Sequence, residues 1–316
     1  MTTVPAWLRR AVADGQSVTG KDVEDVALVA GVAIGALDTV VRRQERWAGA
    51  WRQRLALSSA AVTAKQAGRV EDEAALRDAV LLTRPGDDVG PAGRMFLVWH
   101  RLAGGHSEDL VTERNLAGVL EEFGHIAEDA SVSDLADELR QLAASDGTVE
   151  MMIGAVASAE RRGYGCALGA WFADALLAQR LGWANAVPLL GAEVIAGIGI
   201  RRLRRSGIDI AAVSIEDDAD RAKSLLAAQT RAALHAIDLS AELGRRADKL
   251  LAVAPKLRAK AADAVVERLL SDDAIVGSEK ISGMSDRGLR RLFDRLVELG
   301  GVRELSGRPT FRIYGL

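Results

Sequence analysis

One cysteine, Cys166, stands among 316 residues. It excludes an internal disulfide framework and any cysteine-built zinc site, and it fits a reducing cytoplasm. Aromatic side chains make up only 4%, and the charges nearly cancel: 41 Lys+Arg face 44 Asp+Glu, a net charge of -3. A uniformly basic coat for nucleic acid is thereby excluded, although a local basic face is not. Long apolar runs are also lacking. Residues 27–41 (ALVAGVAIGALDTVV) and 187–200 (VPLLGAEVIAGIGI) fall short of the ~18–20 residues a spanning helix needs, and Asp38 and Glu193 interrupt them. The N-terminal stretch MTTVPAWLRRAVADGQSVTG carries no apolar core of signal-peptide type. A cytoplasmic protein without a membrane segment is expected.

What is present is a hydrophobic fraction of 49%, ample for a packed core. Apolar spacing over 20–250 reads as helix nearly throughout, rich in alanine, leucine and arginine and almost free of period-2 alternation. Helices are expected at about 22–41, 48–67, 71–82, 93–103, 107–123, 133–144, 149–161, 166–182 and 188–200. Residues 215–250 read as one long helix or a broken pair, with spacing that suits core packing better than a heptad seam. The domains expected are an N-terminal tail (1–20), an all-α domain (21–254) and a small C-terminal domain (255–316), with APKLRAK around Pro255 as the linker.

The tail changes character. A helix over 260–270 is followed by a short apolar piece and turn (274–283), and Ser285 is placed to cap a second helix ending at Gly300-Gly301. Leu289, Leu292, Phe293, Leu296 and Leu299 form that helix's inward face. VREL and TFRIYGL then flank Ser306-Gly307-Arg308-Pro309, a hairpin turn. This order is that of a winged helix-turn-helix, so the fold expected is mainly α, a large helical domain followed by a small winged helix. With the apolar stripe inward, Arg287, Arg290, Arg291 and Arg295 project from the second helix, where a recognition helix meets a major groove. Arg308 and Arg312 sit on the hairpin with Arg303, placed for flanking phosphates. Residues 256–316 hold 12 basic and 9 acidic side chains, a balance of +3 against -6 for the rest; Asp286, Asp294, Glu298 and Glu304 dilute the field.

Several long stretches carry a family resemblance: WAGAWRQRLAL (47–57), GRVEDEAALRDAVLLTRPGDDVGPAGR (68–94), LLAQRLGWANAVPLL (176–190), APKLRAKAADAVVERLLSDDAIVG (254–277) and RRLFDRLVELGGVRELSGRPTFRIYGL (290–316). Together they resemble one uncharacterised alphaproteobacterial family, a domain of unknown function that is often plasmid-borne. The resemblance covers most of the chain and implies no catalytic residue. The tail alone, LVELGGVRELSGRPTFRIY, is similar to the C-terminal winged helix of Fic-type proteins. Their active-site signature, HxFx(D/E)GNGR, does not occur, so only the module is implied.

Catalytic motifs are sparse. There is no H-E-x-x-H, P-loop or G-x-S-x-G, and Gly163–Gly169 departs from the dinucleotide fingerprint. Glu122-x-x-His125 has di-iron spacing without the second pair such a site requires. The carboxylates Glu71, Glu73, Asp87 and Asp88 mark a candidate functional loop. They read first as helix-terminal charge and turn caps, with Asp78 paired to Arg77 or Arg94, and secondly as a hard-cation or phosphate-substrate site. Trp47 and Trp51 read as core and Asp174 as the buried partner of Arg180. No catalytic residue, metal or cofactor is assigned. The function expected is DNA-associated regulation or maintenance through the winged helix, with double-stranded DNA as partner. An adaptor docking a protein partner and a helical enzyme using the 85–93 loop are the alternatives, and a homodimer through the helical body stays open.

Overall fold

The computed structural model describes residues 4–13, 22–84, 86–193, 214–257, 261–308 and 310–316. Twelve α-helices occur among them: α1 (Ala6–Ala13), α2 (Val23–Arg42), α3 (Ala48–Gln66), α4 (Glu73–Leu81), α5 (Gly90–Gly104), α6 (Glu113–Glu122), α7 (Asp129–Ala144), α8 (Thr148–Arg161), α9 (Gly165–Arg180), α10 (Ser214–Val253), α11 (Ala262–Ser271) and α12 (Asp286–Glu298). Three short strands, β1 (Ile275–Val276), β2 (Arg303–Glu304) and β3 (Ile313–Gly315), complete the chain. The protein is mainly helical. Among the described residues no helix is long and apolar enough to cross a membrane.

Contacts divide the chain into two compact units, Met1–Arg42 with Gly105–Ile237, and Arg43–Gly104 with Asp238–Leu316. In the first, α9 is buried almost all round, from Leu168 through Ala178, as a helix without a polar face must be. Its glycine at 169 permits close approach to α8, since a Cβ there would stand 3.1 Å from the Val156 Cα. Residues beyond α9 are tied back to it. Asp174 accepts from the Leu189 and Leu190 amides at 2.8 and 3.0 Å, and the Gln179 side chain donates to the Ser107 carbonyl at 2.7 Å. Complete burial pushes the Asp174 carboxyl up to about 8, against the backbone donors of residues 189–191 that favour its charged form.

The pairing of Asp174 with Arg180 is therefore corrected. Arg180 donates instead to carbonyls at the end of α7, Ala143 at 3.1 Å among them. Three helix expectations change as well. The N-terminal stretch read as tail contains α1, with Val4 and Leu8 buried. The single helix over 107–123 is a 3-10 turn (Ser107–Asp109) followed by α6, because His106 bridges to Asn185 and turns the chain. Of the helix expected at 188–200, Leu190–Ala192 form one 3-10 turn, while 194–200 lie outside the described residues.

In the second unit α3 is the buried centre, and the Trp99 Nε1 of α5 donates to its Thr63 hydroxyl at 3.0 Å. The start of α3 lies against the end of α11: a Cβ at Gly49 would come within 2.4 Å of the Ser271 carbonyl oxygen. Directly after α11, Asp273 is buried between Arg54 of α3 and Arg77 of α4; Arg77 reaches it at 2.6 Å. Burial raises the Asp273 carboxyl, but the two guanidiniums outweigh it and hold the group below the usual carboxylate range. The unit division thus differs from the boundary expected at 254/255, since these buried pairs join the tail to residues 43–104.

The strands form one antiparallel sheet of order β1-β3-β2, with Ile275 opposite Tyr314 and Glu304 opposite Tyr314 on the other side. Tyr314 stacks on Phe293 of α12 with ring centres 4.2 Å apart. This contact seats α12 on the sheet through its buried face, Leu289, Leu292, Phe293 and Leu296. Ser285 caps α12 by accepting from the Gly288 amide at 3.2 Å. Gly300, at φ 69, closes its far end in the left-handed conformation that glycine adopts without strain.

Candidate nucleic-acid interface

The six arginines singled out in the tail separate into two groups. Arg287, Arg290 and Arg291 are exposed on the first two turns of α12, and among the described residues no hydrogen bond or ion pair engages their side chains. The other three are paired. Arg295 contacts Glu298 at 2.6 Å, one turn on along the same helix. Arg312 lies 3.7 Å from Asp294 and 3.8 Å from Glu304. Arg308 donates through both terminal nitrogens to Asp78 of α4, at 2.6 and 2.8 Å.

The acids that dilute this face are distributed unevenly. Asp294 and Glu298 occupy its C-terminal half and are matched by Arg312 and Arg295. Asp286 stands in the first turn, where a carboxylate complements the positive end of the helix dipole. Among the described residues no carboxylate forms an ion pair with the three guanidiniums in the N-terminal half of α12. Arg303, also on the hairpin, turns to the Leu316 carbonyl oxygen at 3.4 Å, a group that Arg246 reaches at 3.1 Å. Burial and the nearby Arg246 and Arg54 lower the Arg303 pKa.

The carboxylates of the second candidate site do not share a ligand-like focus. Glu71 pairs with Arg69, which holds its carboxyl below the usual range. Glu73 accepts from the Ser58 hydroxyl at 2.6 Å. Asp88 accepts from the Gly90 amide at 2.9 Å and from Arg94 at 3.0 Å, which together lower its pKa, while Asp87 is exposed. Asp78, expected to meet Arg77 or Arg94, meets Arg308. Among the described residues no group of three or more His, Cys, Asp or Glu is gathered as a metal site would require.

Two clefts open in the first unit, and sequence reasoning pointed to neither. One, of about 320 Å³, is lined by Trp7, Val26, Leu28 and Ala227 with Arg231 at its edge; Arg231 is engaged by Glu193 at 2.8 Å. The other, about 1000 Å³ and more polar, is lined by His106, Glu108, Glu113, Arg114 and Arg140. Both are built from helices far apart in sequence, so no local spacing announces them. His125 stands apart from them against Tyr164, with ring centres 4.8 Å apart. Trp51 and Trp171 are core residues, and the Trp47 ring lies over Gly244, where a Cβ would come within 2.9 Å of it.

The chain belongs to the family described as protein of unknown function (DUF1403), whose model matches residues 1–316. No curated protein and no solved structure matches it.

Proposed function

We propose that this member of the DUF1403 family is a DNA-associated protein, acting in regulation or maintenance of DNA, and that residues 255–316 serve it as a winged helix. The reading is supported by the succession of α11, β1, α12, β2 and β3, and by a sheet in which the first strand joins the hairpin through β3. It is carried by one observation: Arg287, Arg290 and Arg291 stand exposed on the N-terminal half of α12 with no partner among the described residues, while Arg295, Arg308 and Arg312 are paired with carboxylates. Helices of this kind present their first turns to base edges and phosphates. Guanidiniums suit that task because their fork matches phosphate oxygens and the guanine edge.

Binding of this kind releases counterions, so affinity falls with salt at a slope of about 0.9 per neutralised phosphate. Full-length protein is titrated with random-sequence duplex DNA across a salt series, beside the Arg287→Ala/Arg290→Ala/Arg291→Ala variant. The expected result is salt-sensitive binding by the wild type, with a slope reduced by roughly 2 to 3 in the variant. Folded wild-type protein that leaves DNA free even at low salt contradicts the reading, and partner capture then becomes the productive search.

A further inference from the structure

We propose that Phe311 is an apolar DNA contact beside α12, a wedge that enters the minor groove next to the site occupied by the arginines. The inference rests on the DNA-contact reading above and adds a second kind of contact to it. Phe311 is 68% exposed, whereas Phe96, Phe172 and Phe293 are buried core residues. In a chain with 4% aromatics, one held in water at a turn stands out.

Its backbone adds to the contrast. Phe311 has φ 52, in the left-handed region where a side chain is strained and glycine is at ease. Among the described residues only Gln44 and Ala261 share a positive φ without being glycine. Such strain persists where the surroundings hold it, and they do so here. The Arg308 guanidinium donates to the Phe311 carbonyl at 3.3 and 3.2 Å while its other bonds fix it on Asp78. On the far side, Ile313 donates to the Ser306 hydroxyl at 3.2 Å, and Leu305 donates to the Ile313 carbonyl at 2.8 Å. The Phe311 carbonyl and the strand that follows are held, while most of the ring stays in water.

Position identifies the occupant. Arg312, the next residue, contacts Asp294. Arg287, Arg290 and Arg291 lie seven, four and three positions before Asp294, and so share its face of the helix. The residue after Phe311 therefore reaches the helix face along which the unpaired cations lie. A face pairing guanidiniums with one rigid aromatic is complementary to a duplex, which offers phosphates outside and apolar stacked faces within. Minor-groove binders insert apolar side chains between base steps in this way.

Duplex binding is compared across a salt series for the wild type, Phe311→Gly, Phe311→Asn and the triple arginine variant, with a thermal melt of each. Glycine relieves the backbone strain and asparagine tolerates it, so both variants fold with melting temperatures at or above the wild type. Both are expected to lose about tenfold in affinity, the scale of one base-stacking contact, with an unchanged salt slope. The arginine variant loses slope instead. Wild-type affinity in folded Phe311→Gly and Phe311→Asn overturns the wedge and leaves the arginine reading standing. Absence of binding by the wild type overturns both. A loss of slope in the phenylalanine variants also overturns the wedge, because it makes Phe311 a support for the cations.

Discussion

Arg308 and Asp78 lie 230 positions apart in the chain and meet through two parallel hydrogen bonds of 2.6 and 2.8 Å. The arginine of the hairpin turn is thereby spent on α4, and its charge is compensated before any ligand arrives. Sequence reasoning counted it among the phosphate contacts. The geometry makes it a fastener of the hairpin.

A prediction separates these roles. Arg308→Ala should leave the slope of log affinity against log salt at its wild-type value, whereas Arg290→Ala should reduce it by up to about 0.9. A double-mutant cycle on Arg308 and Asp78 should give a coupling of roughly 0.5–1 kcal/mol, because both side chains are about a third exposed. A slope that falls equally in both arginine variants would return Arg308 to the interface.

Asp273 carries more weight in the second unit. Asp273→Ala leaves the Arg54 and Arg77 guanidiniums buried without a counter-charge, and the expected cost is about 3–5 kcal/mol in equilibrium denaturation. The folded carboxyl sits below its unfolded value, so its contribution is present above pH ~4 and is lost as pH falls through the folded value. A loss under ~1 kcal/mol would show that the pair is dispensable.

Asp174 has the opposite sign. Its folded value of about 8 lies above the unfolded ~3.9, so the folded state holds the proton more tightly. Stability is then full below pH ~4 and declines as pH rises through about 8. Thermal melts of the wild type should drop across that window, and Asp174→Asn should remove this part of the slope. An identical decline in the variant would assign the titration to another group.

Much of the secondary structure was legible because it is written in local spacing. The stripe of Leu289, Leu292, Phe293 and Leu296 marks α12, Ser285 its start and Gly300 its end. α1 escaped because eight residues with two arginines give too short a pattern to distinguish from a polar tail. The break at Ser107–Asp109 escaped for another reason: it is imposed by Trp183, Gln179 and Asn185, whose hydrogen bonds come from more than 70 positions away.

The candidate site was half legible. Exposure of Arg287, Arg290 and Arg291 follows from helical periodicity, but neutralisation of Arg308 by Asp78 does not, since nothing local links a hairpin turn to α4. The Asp174–Arg180 expectation failed on helix geometry. Six residues place two side chains about 120° apart around an α-helix, so the pair does not share a face. The clefts of the first unit are products of tertiary packing alone.

The central claim, that α12 faces DNA, is tested most directly by photocrosslinking. A benzoylphenylalanine replaces Arg291 on α12 or, as a control, Arg140, an exposed arginine of the first unit. Each full-length protein is irradiated with random-sequence duplex at low salt. The account predicts DNA adducts from position 291, suppressed by added salt, and none above background from position 140. Adducts from 140 with none from 291 would contradict it.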